Sequence, residues 1–121
     1  MQLTRAMAPV ASSFELFQRT PQWIMPIDNP AYSAAERTAF ATDPEKISKL
    51  RAEMNAMMVD NIAMAVINAE SPQMKAIEDA CLANLENSVK DPVLREKLRP
   101  NYRAACKRLI FSTDFYDAIQ H

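Results

Sequence analysis

The chain contains no glycine in 121 residues. Average protein composition would give about eight glycines in a chain of this length. Phosphate-binding loops depend on glycine, because a residue without Cβ allows left-handed backbone conformations and close approach to a ligand. A chain without glycine is therefore not expected to cradle a dinucleotide pyrophosphate by itself.

Four short motifs predict where helices begin. Ser33 and Glu36 have the spacing of a capping box, in which the two side chains satisfy backbone amides of the first turn. In the other motifs an N-cap oxygen precedes a proline at the first helical position: Asp43-Pro44, Ser71-Pro72 and Asp91-Pro92. Apolar residues recur every three or four positions between these starts. The sequence thus predicts a mainly α-helical chain.

Short strands are predicted near each end of the chain. Residues 13–18 alternate in a way that suits a short strand, which Pro21 would end. Residues 21–32 are rich in proline and are expected to be irregular. Residues 109–111 form an apolar run that suits a buried strand.

Composition excludes several classes of function. Fourteen basic and fifteen acidic residues give a net charge of -1, so no basic field attracts nucleic acid or anionic lipid. Cys81 and Cys106 lack CxxC spacing and the single histidine is His121, so no metal site is predicted. No apolar run suits a signal peptide or a membrane span, and a cytoplasmic location is the default expectation.

Two cationic pairs could bind a phosphate group: Arg19 with Thr20, and Lys107 with Arg108. Guanidinium groups bind phosphate bidentately, a lysine supplies a point charge, and a threonine hydroxyl can donate a hydrogen bond. The adenosine 2'-phosphate of NADPH is such a group. Pairs of this kind are also common on solvated surfaces, so the spacing alone leaves both interpretations open.

The sequence around these pairs adds a second observation, a resemblance to a known protein family. The chain resembles the flavin-dependent Baeyer-Villiger monooxygenases (class B flavoprotein monooxygenases) that act on hydroxyacetophenone-like ketones, and the resemblance covers nearly its whole length. The segments that carry it occur in one order: residues 17–23 (FQRTPQW), Tyr32-Ser33, residues 91–100 (DPVLREKLRP), Tyr102, residues 106–109 (CKRL) and Phe115-Tyr116.

The resemblance implies a fold and a division of the chain. In that family one Rossmann-type domain binds FAD, another binds NADPH, and a helical insertion interrupts the NADPH domain. Residues 1–32 would then be a helix, a strand and a proline-rich loop of the NADPH domain, residues 33–98 the helical insertion, and residues 99–121 the return. The chain would be an internal fragment of an α/β flavoprotein, with both glycine-rich loops upstream of Met1.

The resemblance also implies roles for four residues. Arg19 and Thr20 match the pair that holds the NADPH 2'-phosphate, and Lys107 matches the lysine that joins them. Arg108 matches the active-site arginine beside the flavin, which stabilises the anionic peroxyflavin and contacts the nicotinamide. One departure is that residues 103–106 (RAAC) stand where many relatives carry a glycine, so backbone geometry there is expected to differ.

Two functions of different classes follow. The first is a fragment of an FAD- and NADPH-dependent monooxygenase that inserts oxygen beside a small-molecule ketone, inactive by itself and partnered by the missing FAD-binding portion. The alternative is a stand-alone helical interaction module without catalysis. A sharp, cooperative melt of the isolated chain would favour the module. The exposed strand edges expected near Phe14 and Leu109 favour the fragment, because unpaired apolar strands aggregate.

Overall fold

Helices make up most of the chain in its computed structural model, which describes residues 2–120. This confirms the prediction of a mainly α-helical chain with short strands. The helices are α1 Gln2–Met7, α2 Ala34–Thr42, α3 Pro44–Met57, α4 Met64–Ile67, α5 Pro72–Ser88, α6 Pro92–Leu98 and α7 Phe115–Ala118. The strands are β1 Ile24–Met25 and β2 Ile110–Phe111.

All four predicted helix starts are confirmed. At α2 the Ser33 hydroxyl accepts from the backbone N–H of Glu36 at 3.2 Å, and the Glu36 carboxylate accepts from the backbone N–H of Ser33 at 2.8 Å. The hydrogen bond that the Ser33 hydroxyl donates to the Glu36 carboxylate, together with the one from the Ser33 backbone N–H, lowers the pKa of the Glu36 carboxyl. The other three starts have side-chain caps from Asp43, Ser71 and Asp91. Local capping chemistry therefore decides where these helices begin.

A π-helical segment lies within the longest helical stretch. Helix α3 continues without a break through Met58–Ala63, where the backbone is π-helical, and into α4. The Asn61 side-chain amide donates to the backbone oxygen of Met57 at 2.9 Å. A π-helix has wider turns, so apolar positions before and after this segment do not share one regular helical face.

A two-stranded parallel sheet joins the two ends of the chain. Ile24 lies opposite Ile110, and Met25 lies opposite Phe111. The backbone N–H of Ile110 donates to the oxygen of Trp23 at 3.1 Å. The strand predicted at residues 109–111 is thus formed at two of its three positions, but it is not buried, since Ile110 is half-buried and Phe111 is exposed. Strand β1 lies inside the proline-rich segment that was expected to be irregular.

The strand predicted at residues 13–18 is wrong. This segment has no strand conformation, and Phe14, Leu16 and Phe17 are exposed, Phe17 by 87%. A strand requires a hydrogen-bonded neighbour, and no part of residues 2–120 pairs with this segment. The alternation of residue types is present, but the partner that would turn it into a strand is not among the described residues.

The chain divides into two compact units. The first contains Met1–Ile27 and Lys75–His121, and the second contains Asp28–Met74. The first has an apolar core made by β1, α5, α6 and α7, with Ile24, Leu85, Val89, Leu98, Phe115 and Tyr116 buried. Each such side chain contributes about 1.5–3 kcal/mol when it leaves water, so this cluster stabilises the paired strands beside it.

Candidate functional site

The candidate site is formed by the loops that enter the two strands. Thr20 precedes β1 by four positions, and Lys107 precedes β2 by three. Because the strands are parallel neighbours, the segments that enter them lie side by side at one edge of the sheet. The sheet thereby brings together the two cationic segments that are far apart in the sequence.

Lys107 makes the contact that joins these loops. Its Nζ donates a hydrogen bond to Thr20 Oγ1, across a sequence separation of 87 residues. The same ammonium lies 4.5 Å from the centroid of the Tyr102 ring. Among residues 2–120, no carboxylate lies within ion-pairing distance of Lys107 Nζ. An ammonium has three N–H donors, so Lys107 keeps capacity for an anionic ligand.

Arg19 and Arg108 flank this contact in the chain. Both residues are exposed. Within the part of the chain that the structure describes, neither side chain makes a hydrogen bond or an ion pair. The structure therefore joins Thr20 and Lys107 by a hydrogen bond, and within the described residues neither Arg19 nor Arg108 hydrogen-bonds to either of them. Each guanidinium keeps its donors for solvent or for a ligand.

Trp23 fixes the positions of the two loops. Its indole N–H donates to the backbone oxygen of Tyr102 at 2.8 Å. The two rings meet edge to face, with centroids 6.4 Å apart and planes at 83°. The Gln22 side chain also donates to the backbone oxygen of Thr20 at 3.1 Å. Trp23 is only 6% exposed, so it makes this contact with Tyr102 from within the packed interior.

Tyr102 is a site residue to which sequence analysis assigned no role. Burial raises the pKa of its hydroxyl, and among residues 2–120 the buried Oη has no hydrogen-bond partner. The ring is positioned against Lys107 by the tertiary fold rather than by any local pattern. The one available signal was that Tyr102 is itself among the residues that carry the resemblance.

The loop that carries Lys107 is anchored to α5. One carboxylate oxygen of Glu78 accepts from Arg103 Nε at 2.9 Å and from the backbone N–H of Ala104 at 3.0 Å. The next residue, Ala105, has φ of 63°, in the left-handed region that favours glycine. This position lies within residues 103–106, the segment where the resemblance implies a different backbone geometry. An alanine there costs about 1–2 kcal/mol.

The chemistry available to the site is anion binding. Two guanidinium groups, an ammonium and a hydroxyl are the donors that recognise a phosphate. Among the residues described, no group of three or more His, Cys, Asp or Glu side chains could hold a metal ion. Burial raises the pKa of the Cys81 thiol to about 12 and also raises the pKa of Tyr116, and both residues belong to the interior.

No helix within residues 2–120 combines the length and the apolar character needed to cross a membrane. No protein-family profile matches the chain.

Comparison with curated proteins finds relatives along the whole chain. An uncharacterized monooxygenase of Mycobacterium tuberculosis is 37% identical over 120 residues, which are 99% of this chain and 24% of that protein. A Baeyer-Villiger monooxygenase of Streptomyces coelicolor is 32% identical over 119 residues, or 98% of this chain and 22% of that protein. A Baeyer-Villiger monooxygenase of Pseudomonas aeruginosa is 29% identical over 120 residues. The chain spans about a quarter of the length of these relatives.

Comparison with solved structures finds the same fold in part of a larger protein. The crystal structure of OTEMO in an FAD-bound form matches 94% of this chain with a TM-score of 0.68. The match covers 27% of the OTEMO chain at 21% sequence identity. The fold of this chain therefore occurs as one part of a larger protein.

Proposed function

We propose that this chain, which belongs with the Baeyer-Villiger monooxygenases and related monooxygenases that it matches along its whole length, is part of an FAD- and NADPH-dependent monooxygenase. The complete protein would insert an oxygen atom beside the carbonyl of a small-molecule ketone. The observation that carries the proposal is the contact between Lys107 and Thr20, which joins the two cationic segments at one edge of the sheet.

The donor set fits the 2'-phosphate of NADPH. Lys107 and Thr20 are already in contact, and Arg19 is next to Thr20 in the chain with an exposed guanidinium. Because no carboxylate pairs with the Lys107 ammonium among the described residues, a dianionic phosphate would not have to displace one. The three residues would hold the phosphate and so distinguish NADPH from NADH.

Arg108 is assigned to the flavin side of the same site. A guanidinium group is cationic, and a preorganised cation lowers the energy of negative charge that develops in a reaction. When bound, FAD and NADPH supply the electrons and the activation of oxygen. The contribution of this chain is to position NADPH through Arg19, Thr20 and Lys107 and to present the Arg108 cation.

The rest of the protein would supply what this chain lacks. Without glycine, the chain cannot build the phosphate-cradling turns of a dinucleotide-binding domain, so other segments must hold both pyrophosphates. We assign residues 1–32 and 99–121 to the NADPH domain and residues 33–98 to its helical insertion. The FAD-binding portion would be the partner, and the isolated chain is expected to be inactive.

Two adenosine phosphates test the proposal on the 121-residue chain. Adenosine 2',5'-bisphosphate and adenosine 5'-monophosphate differ only in the 2'-phosphate, and amide NMR shifts report both folding and the place of binding. We expect the bisphosphate to shift Thr20 and Lys107 and to bind more tightly than the monophosphate. Equal affinities, or a folded chain whose Thr20 and Lys107 amides do not respond, would overturn the proposal.

Variants locate the binding. Lys107→Ala and Arg19→Ala should each weaken bisphosphate binding by about tenfold or more, because each removes a charged donor to phosphate. Lys90→Ala is the matched control, since Lys90 is another exposed lysine outside the two loops. A loss in the Lys90 variant equal to that in the Lys107 variant would indicate general charge attraction and would contradict the assigned site.

A further inference from the structure

The ammonium of Lys107 is held from two directions. Its Nζ donates to Thr20 Oγ1 and lies 4.5 Å from the centroid of the Tyr102 ring. An aromatic ring attracts a cation at its face through the negative charge of its π-system. An exposed lysine otherwise has four rotatable bonds and many conformations, which it must give up when it binds a ligand.

Tyr102 is itself fixed in place. Trp23 donates from its indole to the Tyr102 backbone oxygen at 2.8 Å and packs edge to face on the ring. The ring face that Lys107 uses is therefore positioned by a buried tryptophan, before any ligand arrives. The Tyr102 hydroxyl has no hydrogen-bond partner among residues 2–120, so the ring, and not the hydroxyl, makes the contact.

We propose that Tyr102 is a positioning residue for phosphate recognition: its ring holds the Lys107 ammonium beside Thr20, where the 2'-phosphate of NADPH binds. The inference rests on the function proposed above for Lys107. Tyr102 acts through Lys107 and needs no contact with the nucleotide. It lowers the conformational entropy that Lys107 loses on binding, which is how preorganisation raises affinity.

The variants Tyr102→Leu and Tyr102→Phe separate the ring from the hydroxyl. Tyr102→Leu should weaken binding of adenosine 2',5'-bisphosphate by about two- to fivefold, the size of a cation–π contact at an exposed site. Tyr102→Phe should bind as the unmodified chain does. Neither variant should change the affinity for adenosine 5'-monophosphate. In a Lys107→Ala background, Tyr102→Leu should have no further effect, because the cation that it positions is gone.

A fluorine series covers the case in which Tyr102→Leu fails to fold. Phenylalanine analogues with increasing numbers of ring fluorines at position 102 keep the shape of the ring and progressively remove its attraction for a cation. Bisphosphate affinity should fall stepwise along the series. Unchanged affinity along the series in a chain that binds the bisphosphate would overturn the positioning role.

A nucleotide-free measurement keeps the two proposals distinguishable. The ring should shift the NMR resonances of the Lys107 ε-methylene protons upfield, in the unmodified chain and in Tyr102→Phe but not in Tyr102→Leu. If the shift is present and the bisphosphate does not bind, the proposed function fails, and the positioning role for phosphate fails with it. If the bisphosphate binds tightly and Tyr102→Leu binds equally well, only the inference about Tyr102 fails.

Discussion

The indole N–H of Trp23 donates a 2.8 Å hydrogen bond to the backbone oxygen of Tyr102, 79 residues later in the chain. This bond joins the loop that carries Thr20 to the loop that carries Lys107. Tryptophan suits the position because it combines a large apolar surface, which is buried here, with one N–H donor that can reach a backbone carbonyl.

The variant Trp23→Phe should lower the free energy of unfolding by about 1–3 kcal/mol. It removes the donor and leaves the Tyr102 carbonyl without this partner, which costs more than the hydrogen bond itself contributes. Chemical denaturation measures the change. Phe17→Leu is the control, because Phe17 is 87% exposed and its replacement should stay within about 0.5 kcal/mol. Equal effects of the two variants would contradict the structural role of Trp23.

Ala105→Gly should stabilise the chain by about 1 kcal/mol. The φ of 63° at Ala105 is unfavourable for a residue with Cβ, and glycine removes that cost at some loss of entropy. Ala104→Gly is the matched control at the neighbouring position. Ala104 is buried and does not have positive φ, so glycine there should destabilise the chain instead. Thermal melting of both variants gives the two signs.

Stability should fall as pH rises above about 9. Burial raises the pKa of the Cys81 thiol from 9.0 to about 12, so between these values the unfolded state loses a proton that the folded state retains. The contribution of this thiol to the free energy of unfolding is complete below about pH 9 and is lost as the pH rises toward about 12. Tyr116, whose pKa burial also raises, adds to the same trend.

Cys81→Ala should reduce the slope of that decrease. Cys106→Ala is the matched control, because Cys106 is the exposed cysteine and Cys81 the buried one. Denaturation curves of both variants at several pH values between about 8 and about 11 measure how the free energy of unfolding depends on pH. An identical slope in the two variants would show that the Cys81 thiol does not contribute to the alkaline loss of stability.

Ser33→Ala should destabilise α2 by about 1 kcal/mol, because it removes the hydroxyl that accepts the hydrogen bond from the Glu36 backbone N–H. Ser48→Ala is the control. The Ser48 hydroxyl donates to the backbone oxygen of Pro44 inside α3, where alanine forms helix at least as well. Helical circular dichroism during thermal melting compares the two. A larger loss for Ser48→Ala would contradict the importance of the cap.

The helix starts could be predicted because capping depends on residues only two or three positions apart. Ser33, Asp43, Ser71 and Asp91 each place an oxygen within reach of nearby backbone amides, whatever the rest of the chain does. The strand predicted at residues 13–18 failed because a strand depends on a partner elsewhere. For the same reason β1 was missed, because it forms by pairing with β2, which is distant in the sequence.

The site was predictable only in part. Arg19, Thr20, Lys107 and Arg108 came from the resemblance, and their roles remain predictions. The contact between Lys107 and Thr20 supports two of them, because it joins residues that no local pattern connects. The cation over the Tyr102 ring could not be predicted, because it depends on how Trp23 orients that ring.

The first compact unit is assembled from two separate stretches, Met1–Ile27 and Lys75–His121, which the intervening residues 28–74 connect covalently. That connection keeps the two stretches at a high effective concentration for each other. A single cut within residues 28–74 would turn the pairing of β1 with β2 into a bimolecular association. Dilution should then lower the melting temperature of the nicked chain, whereas the intact chain should melt at one temperature at any concentration.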